Sequence, residues 1–493
     1  MKTKFIGGIL LLSAVLLATS CERGVDEESF VSGVTNAQLE SPKIDDSSFS
    51  TLTNSDGTES VKVTWPVIEG AGGYLFNVLC TSNPEDESVS SENPLVIVQD
   101  SIIDGCSVTF AKIEDAVYNI SLKTLGNEKL NNKDAAEATT FAYSALVPAT
   151  TIPAGSDIAE FIKDNLQDSD KEQGFALEAG ASYTLNSKVD FGLNQVTLRS
   201  TATDGVRPTV TVGAEGTLMT QAGLKVKFIN FDCTASGQKA FLLLSDNPDA
   251  SISTESLGYK ANGANQNGFV INKPVLIQDC NFKNINNSFL FGNKKPWSLR
   301  DFRIMNSILQ FNNSGSQAMF DLSGGGNGLI KNFMIKNSTI YNIQEESGVF
   351  FIKYSSGSNA QPKKIFGTND DSAIITFANS TFFQTNIQKR FADQAPNYNK
   401  YVADLKNNIF YDCWALNKFI QSQFDVSACG GNILFGEKTK LESNDLKYTN
   451  GTELDPQFAG PTAQELDLTQ ENGGVNFKPQ ASGAADAGDP RWK

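Results

Sequence analysis

The sequence predicts an all-β chain in which a β-sandwich is followed by a long parallel β-helix. Three observations predict it: short alternating apolar runs between residues 34 and 148, a six-residue phrase that recurs later, and 33 phenylalanines beside only 4 tryptophans. Small stacked rungs lined by phenylalanine suit such a composition. A chain of 493 residues is long for one compact domain, whereas a solenoid grows along a single axis.

The first twenty residues have the pattern of an export signal. Lys2 and Lys4 precede an apolar stretch, residues 5–18, that is short for a membrane-spanning helix. The following Leu-Ala-Thr-Ser-Cys resembles the lipobox of bacterial lipoproteins. This resemblance implies a signal peptide at 1–20, an acyl chain on Cys21, and attachment to the outer membrane at the cell surface. Residues 21–33 form an acidic tether that resembles an export tag, with a plain solvated linker as the alternative.

Residues 34–148 show the short strands and Asp, Asn, Gly and Ser turns of a β-sandwich. The segment from Val61 through Trp65 and Gly70 to Tyr74 and Val78 resembles the B and C strands of fibronectin type III domains. That resemblance implies a core position for Trp65 and a spacer role for the domain. Residues 118–125 and 138–146 are predicted to be its last two strands.

A hinge at 148–153 leads to a predicted amphipathic helix at 158–166, capped by Ser156 or Asp157. The solenoid is predicted for residues 149–493. A helix at its start is expected to cover the open end and protect the exposed strand edge there. Short β runs then begin at Phe175. The polar stretches 246–266 and 355–371 are predicted to be loops that leave the rungs.

The recurrent phrase is apolar, any residue, Asn or Asp, small or polar, any residue, apolar. Its Asn or Asp lies at positions 279, 306, 337, 379 and 407, so the steps are 27, 31, 42 and 28 residues. Irregular steps of this size suit coils that share a core but carry loops of different lengths. We expect each Asn to lie at a turn and its amide to hydrogen-bond the next Asn along the axis, inside the stack.

The tail also carries a resemblance. Asp455-Pro-Gln-Phe458 and the segment from Ser482 to Trp492, with Asp-Ala-Gly-Asp-Pro at 486–490, resemble the closing segment of bacterial right-handed β-helix proteins. Together with the recurrent phrases, this resemblance implies a right-handed parallel β-helix of the pectate-lyase-like superfamily. Lipoproteins of this type occur in glycan-foraging systems, many without known activity.

Six cysteines follow Cys21, and buried thiols are favoured over the pairs Cys80–Cys106 or Cys413–Cys429.

The charge distribution restricts the partners. The net charge is −16, and −18 once Lys2 and Lys4 leave with the signal peptide, which argues against nucleic acid. Residues 271–400 nevertheless hold 14 Lys and Arg against 8 Asp and Glu. The chain has no histidine, which excludes Ser-His and Cys-His catalysis and the Gly-His-Gly element of polygalacturonase-like hydrolases.

Two uses of residues 271–400, the basic window, remain open, and no catalytic residue is identified. A polysaccharide lyase would need Lys or Arg beside a uronate carboxylate, with Lys295 and Lys389 among the candidates and Asp301 and Asp321 as candidate Ca²⁺ ligands. A binding surface needs only a row of cations and an aromatic platform. The residues predicted to form it are Lys294, Trp297, Arg300, Arg303, Lys353 and Arg390. Trp297 packed beneath its own loop is the alternative.

The sequence therefore predicts a surface-anchored, carbohydrate-binding lipoprotein of a glycan-utilisation system whose partner is an acidic polysaccharide. The alternatives are a lyase that acts by β-elimination on uronate glycans, with or without Ca²⁺, and a non-catalytic structural or adhesive surface protein. The sequence assigns no cofactor with certainty.

Overall fold

The structure is a computed structural model that describes residues 33–493, apart from 55, 56, 85, 87, 204 and 316. The predicted signal peptide, Cys21 and the tether up to residue 32 lie outside the described residues. The chain divides into two compact units, Met1–Val147 and Pro148–Lys493. Within the described ranges, no helix is long and apolar enough to cross a membrane.

The first unit contains two antiparallel sheets. Its strands are β1 (Phe49–Thr53), β2 (Glu59–Thr64), β3 (Gly73–Ser82), β4 (Leu95–Ile103), β5 (Ser107–Ala111), β6 (Val117–Leu125) and β7 (Thr139–Ser144). The strand order is β1-β2-β5 in one sheet and β4-β3-β6-β7 in the other. Strands β3 and β6 bury alternate residues, as expected for sheets with one face on a core.

The core of this unit is built from side chains of both sheets. Val61 of β2 and Phe110 of β5 share one buried cluster with Phe76 of β3. Trp65 is buried in the same cluster, with its ring 5.5 Å from Tyr74, edge to face, and 5.6 Å from Phe76 in a stacked arrangement. Both geometries are favourable for aromatic pairs, so Trp65 has the core position that its sequence context predicts.

The second unit is almost entirely strand. Its strands are β8 (Ala149–Ile152), β9 (Gln173–Leu177), β10 (Ser182–Leu185), β11 (Lys188–Asp190), β12 (Val196–Ser200), β13 (Thr209–Val212), β14 (Thr217–Thr220), β15 (Leu224–Lys227), β16 (Asn230–Asp232), β17 (Ala240–Leu244), β18 (Phe269–Ile271), β19 (Val275–Gln278), β20 (Asn281–Ile285), β21 (Ser288–Phe291), β22 (Trp297–Met305), β23 (Ile308–Phe311), β24 (Phe320–Leu322), β25 (Leu329–Lys336), β26 (Thr339–Asn342), β27 (Ile352–Tyr354), β28 (Ala373–Ala378), β29 (Thr381–Asn386), β30 (Ala392–Asp393), β31 (Tyr401–Lys406), β32 (Ile409–Cys413), β33 (Asn432–Phe435) and β34 (Gly451–Glu453). The helices are α1 (Ile158–Asn165), α2 (Pro362–Phe366) and α3 (Ser443–Thr449).

These strands form three long parallel sheets that the chain visits in turn. Sheet 1 has the order β31-β28-β25-β22-β19-β15-β12-β9-β8, and sheet 2 runs from β10 through β13, β16, β20, β23, β26, β29, β32 and β33 to β34. Sheet 3 has the order β11-β14-β17-β21-β24-β27-β30. Each coil thus adds one strand to each sheet, which is the arrangement of a parallel β-helix.

The recurrent phrase marks the turn from sheet 1 to sheet 2. All five of its Asn or Asp residues have left-handed backbone angles, with φ between 48° and 52°, which Asn and Asp tolerate better than other residues with a side chain. Asn337 donates to Asn306 at 3.2 Å, and Asn379 donates to Asn337 at 3.3 Å. These amides are half-buried at the corner of the coil rather than inside it, so this part of the expectation was wrong.

The residue that follows the Asn forms a second, fully buried ladder. The amide of Cys280 donates to the hydroxyl of Ser307, that of Ser307 to Ser338, and that of Ser338 to Ser380, at 3.0 to 3.2 Å. The amide of Ser380 continues the series to the side-chain oxygen of Asn408. The small residue of the phrase therefore satisfies buried backbone donors between coils.

Stacked aromatic rings fill the interior of the coil. The rings of Phe231 and Phe282 stack at 5.0 Å, and those of Phe382 and Phe410 at 4.8 Å, each pair from adjacent strands of sheet 2. Helix α1 covers the first coil and buries Ile158 and Ile162 in this core. Asp157 caps it by accepting from the amides of Ala159 and Glu160, so the predicted capping helix is present.

The carboxyl-terminal segment forms a strap, residues 455–493, over the outer face of sheet 2. Phe477 and Trp492 of the strap pack with Tyr341 and Phe383 of the sheet in one buried cluster. The Trp492 indole donates to Thr339 Oγ1 at 2.8 Å, and that hydroxyl donates to Asp489 at 2.8 Å. Burial raises the pKa of the Asp489 carboxyl. The Asp-Pro-Arg-Trp segment at 489–492 thus attaches the strap to sheet 2.

Candidate functional site

Three of the six residues predicted to bind carbohydrate lie on β22 of sheet 1, where they serve the fold. Trp297 is fully buried in β22, and its indole donates to the carbonyl of Ser245 at 2.9 Å. This burial contradicts the prediction that Trp297 offers an exposed platform to a sugar. Trp297 packs inside the coil, in the same core cluster as Leu299 and Phe302, so it is a core residue rather than one packed beneath its own loop.

Arg300 also has a structural position, which contradicts its predicted binding role. Its side chain is 4% exposed, and its guanidinium lies 4.4 Å from the centre of the Phe366 ring. It donates to Asn272 and to the Tyr259 hydroxyl, both at 2.9 Å, and pairs with Asp370. Arg300 therefore ties together the two loops that leave the coil, because Tyr259 belongs to one and Asp370 to the other.

Arg303 lies on the same strand, away from the remaining predicted residues. Its guanidinium pairs with Asp301, two residues earlier, and its side chain is 28% exposed. Asp301, a candidate Ca²⁺ ligand, is engaged in this pair. Among the described residues, no group of three or more Cys, Asp and Glu side chains has the arrangement of a metal site.

The other three predicted residues, Lys294, Lys353 and Arg390, come together on the outer face of sheet 3. In this sheet Phe291 pairs with Asp321, Asp321 with Lys353, and Lys353 with Asp393 on successive strands. Their neighbours along each strand, such as Phe320, Leu322, Ile352 and Tyr354, point into the core, so this row points outward. Adjacent strands lie about 4.8 Å apart, and the row therefore spans roughly 14 Å.

Cations flank this row on both sides. Lys294 lies 3.9 Å from Asp321, Lys353 lies 3.8 Å from Asp393, and Arg390 donates to Asp393 at 2.9 Å. The side chains of Lys294, Arg390 and Lys353 are 57%, 46% and 32% exposed. Their carboxylate partners are less exposed, at 5% for Asp321 and 16% for Asp393, so the pairs themselves should stay intact. A ligand carboxylate can approach the exposed side of each cation, where ammonium and guanidinium groups have further donors.

Two aromatic rings and two further lysines complete the surface, which we call the cationic strip. Lys353 and Lys389 lie 5.7 and 5.9 Å from the centre of the half-buried Phe350 ring. Lys239 and Lys294 lie 5.6 and 5.2 Å from the Phe291 ring, which is buried beneath their alkyl chains. The strip consists of Lys239, Phe291, Lys294, Asp321, Phe350, Lys353, Lys389, Arg390 and Asp393.

Sequence reasoning missed Lys239, Phe350 and Asp393. Phe350 precedes two core residues, Phe351 and Ile352, and gives no sign in the sequence that its own ring lies outside. A signal for Asp393 did exist, since Lys-Arg at 389–390 followed three residues later by Asp suggests a local ion pair. Lys239 lies outside the basic window in sequence, and only the stacking of the coils brings it close to Lys294.

The thiols provide no reactive group at this surface. All six cysteines of the described chain are free, and five of them are buried. Burial raises the pKa of Cys280 and of Cys413 to about 12, so neither thiol is a thiolate at neutral pH. The preference for buried thiols over disulfides agrees with this arrangement.

Comparisons with known proteins give two family matches. Residues 2–181 match the DUF4992 model, a domain of unknown function, and residues 181–343 match another domain of unknown function, DUF4957. Among curated proteins, none matches the chain. Among solved structures, the chain is similar to a PL6 family alginate lyase, AlyGC, with 11% identity and a TM-score of 0.19. The match covers 69% of this chain and only 56% of that one.

Proposed function

We propose that this protein is a surface-anchored lipoprotein that binds an acidic polysaccharide along the cationic strip. The observation that carries the proposal is the row on sheet 3, where Lys353 and its acidic neighbours lie on consecutive strands and Lys294 and Arg390 flank them. An extended polymer can contact such a row with one group per coil.

The charge of the strip favours an acidic ligand. Its five cations, Lys239, Lys294, Lys353, Lys389 and Arg390, face only two carboxylates, Asp321 and Asp393. This local excess of positive charge occurs in a chain whose net charge is −16. A polyanion therefore gains most from contacting this face, while the rest of the surface repels it and orients its approach.

The partly exposed Phe350 ring supports a sugar polymer over other polyanions. The faces of sugar rings carry C–H groups that pack on an aromatic ring, and Lys353 and Lys389 stand beside this ring to meet carboxylates. Nucleic acid fits less well, because its charge density would demand more cations than the strip supplies.

The remaining parts of the proposal rest on the sequence resemblances. A signal peptide at 1–20 and acylation of Cys21 would attach the chain to the outer membrane, and the tether at 21–33 would carry it to the cell surface. The seven-stranded arrangement in two antiparallel sheets supports a fibronectin type III-like spacer at 34–148. The strong preference of parallel strand connections for one hand supports a right-handed β-helix at 149–493.

The test compares two double variants on columns of immobilised polygalacturonate, alginate and heparin. Lys353→Ala with Arg390→Ala removes two cations from the strip. Lys400→Ala with Lys406→Ala is the matched control, since both lysines are about half exposed and each pairs with an aspartate elsewhere. Both variants change the net charge by the same amount.

We expect the wild type and the control to be retained by at least one column, and the strip variant to bind it at least tenfold more weakly. Two exposed charge contacts of about 1 kcal/mol each correspond to that factor or more. Equal retention of the two double variants would refute the strip as the binding site. Thermal unfolding of both variants checks that the fold is intact.

The same samples distinguish binding from β-elimination. Each polyuronate is incubated with the protein, with and without Ca²⁺, and the ultraviolet absorbance of unsaturated uronate ends is followed. An increase that Lys353→Ala abolishes would make the strip the active site of a lyase, with Lys353 as the base. Retention without product supports a binding protein, and no retention on any column supports a structural or adhesive role.

A further inference from the structure

The strap covers only part of the outer face of sheet 2, and a groove remains beside it. The groove is lined by Ser182, Thr209, Asp232, Lys283, Leu466, Asp467, Leu468 and Thr469 and has a volume of about 440 Å³. Pockets that hold small ligands commonly measure roughly 300–1,000 Å³. It lies on a different face from the cationic strip, and the inference drawn from it does not rest on the proposed function.

The floor of the groove consists of side chains from four consecutive strands. Ser182 pairs with Thr209 on β10 and β13, and Asp232 pairs with Lys283 on β16 and β20. Three strand spacings of about 4.8 Å give a floor roughly 14 Å long. The backbone groups of these strands are used in the parallel ladder, so a ligand would contact side chains rather than add a strand.

The floor presents hydroxyl groups without partners. Within the part of the chain that the structure describes, the side-chain hydroxyls of Ser182 and Thr209 make no hydrogen bond. The carboxylate of Asp232 accepts from the amide and hydroxyl of Thr234, which leaves its second oxygen available. Lys283 is 25% exposed and has Glu465 as its partner at 3.5 Å.

The strap forms a fixed wall along this floor. The Tyr341 hydroxyl donates to the carbonyl of Gln464 at 2.9 Å, and Leu466 is buried in the cluster beneath the strap. Asp467 holds a tight turn by accepting from the amide and hydroxyl of Thr469. The wall therefore offers the half-buried side chain of Leu468 as its apolar edge, while the buried Leu466 anchors it in the cluster.

The charges in the groove exclude an acidic ligand. Asp232 and Asp467 line it, and Glu465 is the partner of its one cation, Lys283. A carboxylate or sulfate would face this acidic excess. Hydroxyl and carboxylate groups on one side and Leu468 on the other instead suit a ring that carries many hydroxyls and has apolar faces. We propose that this groove binds a short neutral oligosaccharide.

The experiment is titration calorimetry of the full chain with neutral linear trisaccharides and tetrasaccharides of β-1,4-glucose, β-1,4-mannose, β-1,4-xylose and α-1,4-glucose. Thr209→Trp fills the groove, and Thr376→Trp is the matched control, because Thr376 is a half-buried threonine on sheet 1. We expect at least one oligosaccharide to bind the wild type and the control equally, and Thr209→Trp at least tenfold more weakly.

A second groove variant provides a test even if Thr209→Trp does not fold. Lys283→Met retains the length of the side chain but removes its charge and donors, and we expect it to weaken binding severalfold. Absence of binding by every oligosaccharide, or unchanged affinity of both groove variants, would overturn the inference. The strip variant Lys353→Ala with Arg390→Ala should bind the neutral oligosaccharide like the wild type, which separates this site from the proposed one.

Discussion

The asparagine ladder gives the sharpest test of how the coil is stabilised. Asn337 lies in its middle: its amide donates to Asn306 at 3.2 Å and its oxygen accepts from Asn379 at 3.3 Å. Its backbone is left-handed, with φ of 49°. Replacement by alanine removes both hydrogen bonds and leaves a residue that resists this conformation.

The magnitude follows from these two effects. Two hydrogen bonds contribute about 1 kcal/mol each, and alanine in the left-handed region costs about 1 kcal/mol more than asparagine. Asn337→Ala should therefore lower the free energy of unfolding by about 3 kcal/mol. Asn337→Gly loses the hydrogen bonds but adopts positive φ freely, so it should cost about 2 kcal/mol.

Urea unfolding followed by circular dichroism measures both values. Lys336→Ala is the matched control, because Lys336 is the preceding residue and its side chain takes no part in the ladder; it should change stability by less than about 0.5 kcal/mol. An Asn337→Ala protein as stable as the control, or an Asn337→Gly protein less stable than Asn337→Ala, would contradict this contribution of the ladder.

Three further predictions concern the supports of the fold. Arg300→Ala should destabilise the protein by about 3 kcal/mol, measured in urea, because it removes a buried guanidinium that donates to Asn272 and Tyr259 and pairs with Asp370; unchanged stability would contradict this. Trp492→Ala should release the strap, 455–493, so that limited proteolysis trims it while the coil survives, and equal resistance to protease would contradict this. The pKa of Asp489 is raised by burial, so the stability it contributes is full below its ordinary value of about 3.8 and is lost as the pH rises through the folded pKa. Asp489→Asn should therefore flatten the decline of stability with rising pH above about 4, measured by thermal unfolding, and an unchanged slope would count against it.

The fold was predictable from the sequence where a local rule determines it. An Asn followed by Ser occurs at the corners at 306, 337 and 379 because the backbone there must be left-handed and because buried amides need an acceptor on the next coil. Each phrase spans the end of one strand, the corner and the start of the next strand. The predicted helix at 158–166 likewise agrees with α1, since its cap and apolar face are local features.

The candidate site was less predictable because it depends on the lengths of the loops. The steps between phrases vary from 27 to 42 residues, so the spacing does not reveal which side chains of sheet 3 share a row. Lys353 and Asp393 are adjacent although 40 residues separate them. The buried indole of Trp297 donates to a carbonyl 52 residues earlier in the chain, a contact that no local sequence pattern predicts.

We propose that an acidic glycan binds on the outer face of sheet 3. The most direct measurement is a crystal structure of the protein with a uronic acid tetrasaccharide that one of the columns has identified. We expect sugar carboxylates within ion-pair distance of Lys353 and Arg390, with a ring against Phe350. An oligosaccharide bound on sheet 1 beside Arg303, with the strip empty, would contradict it.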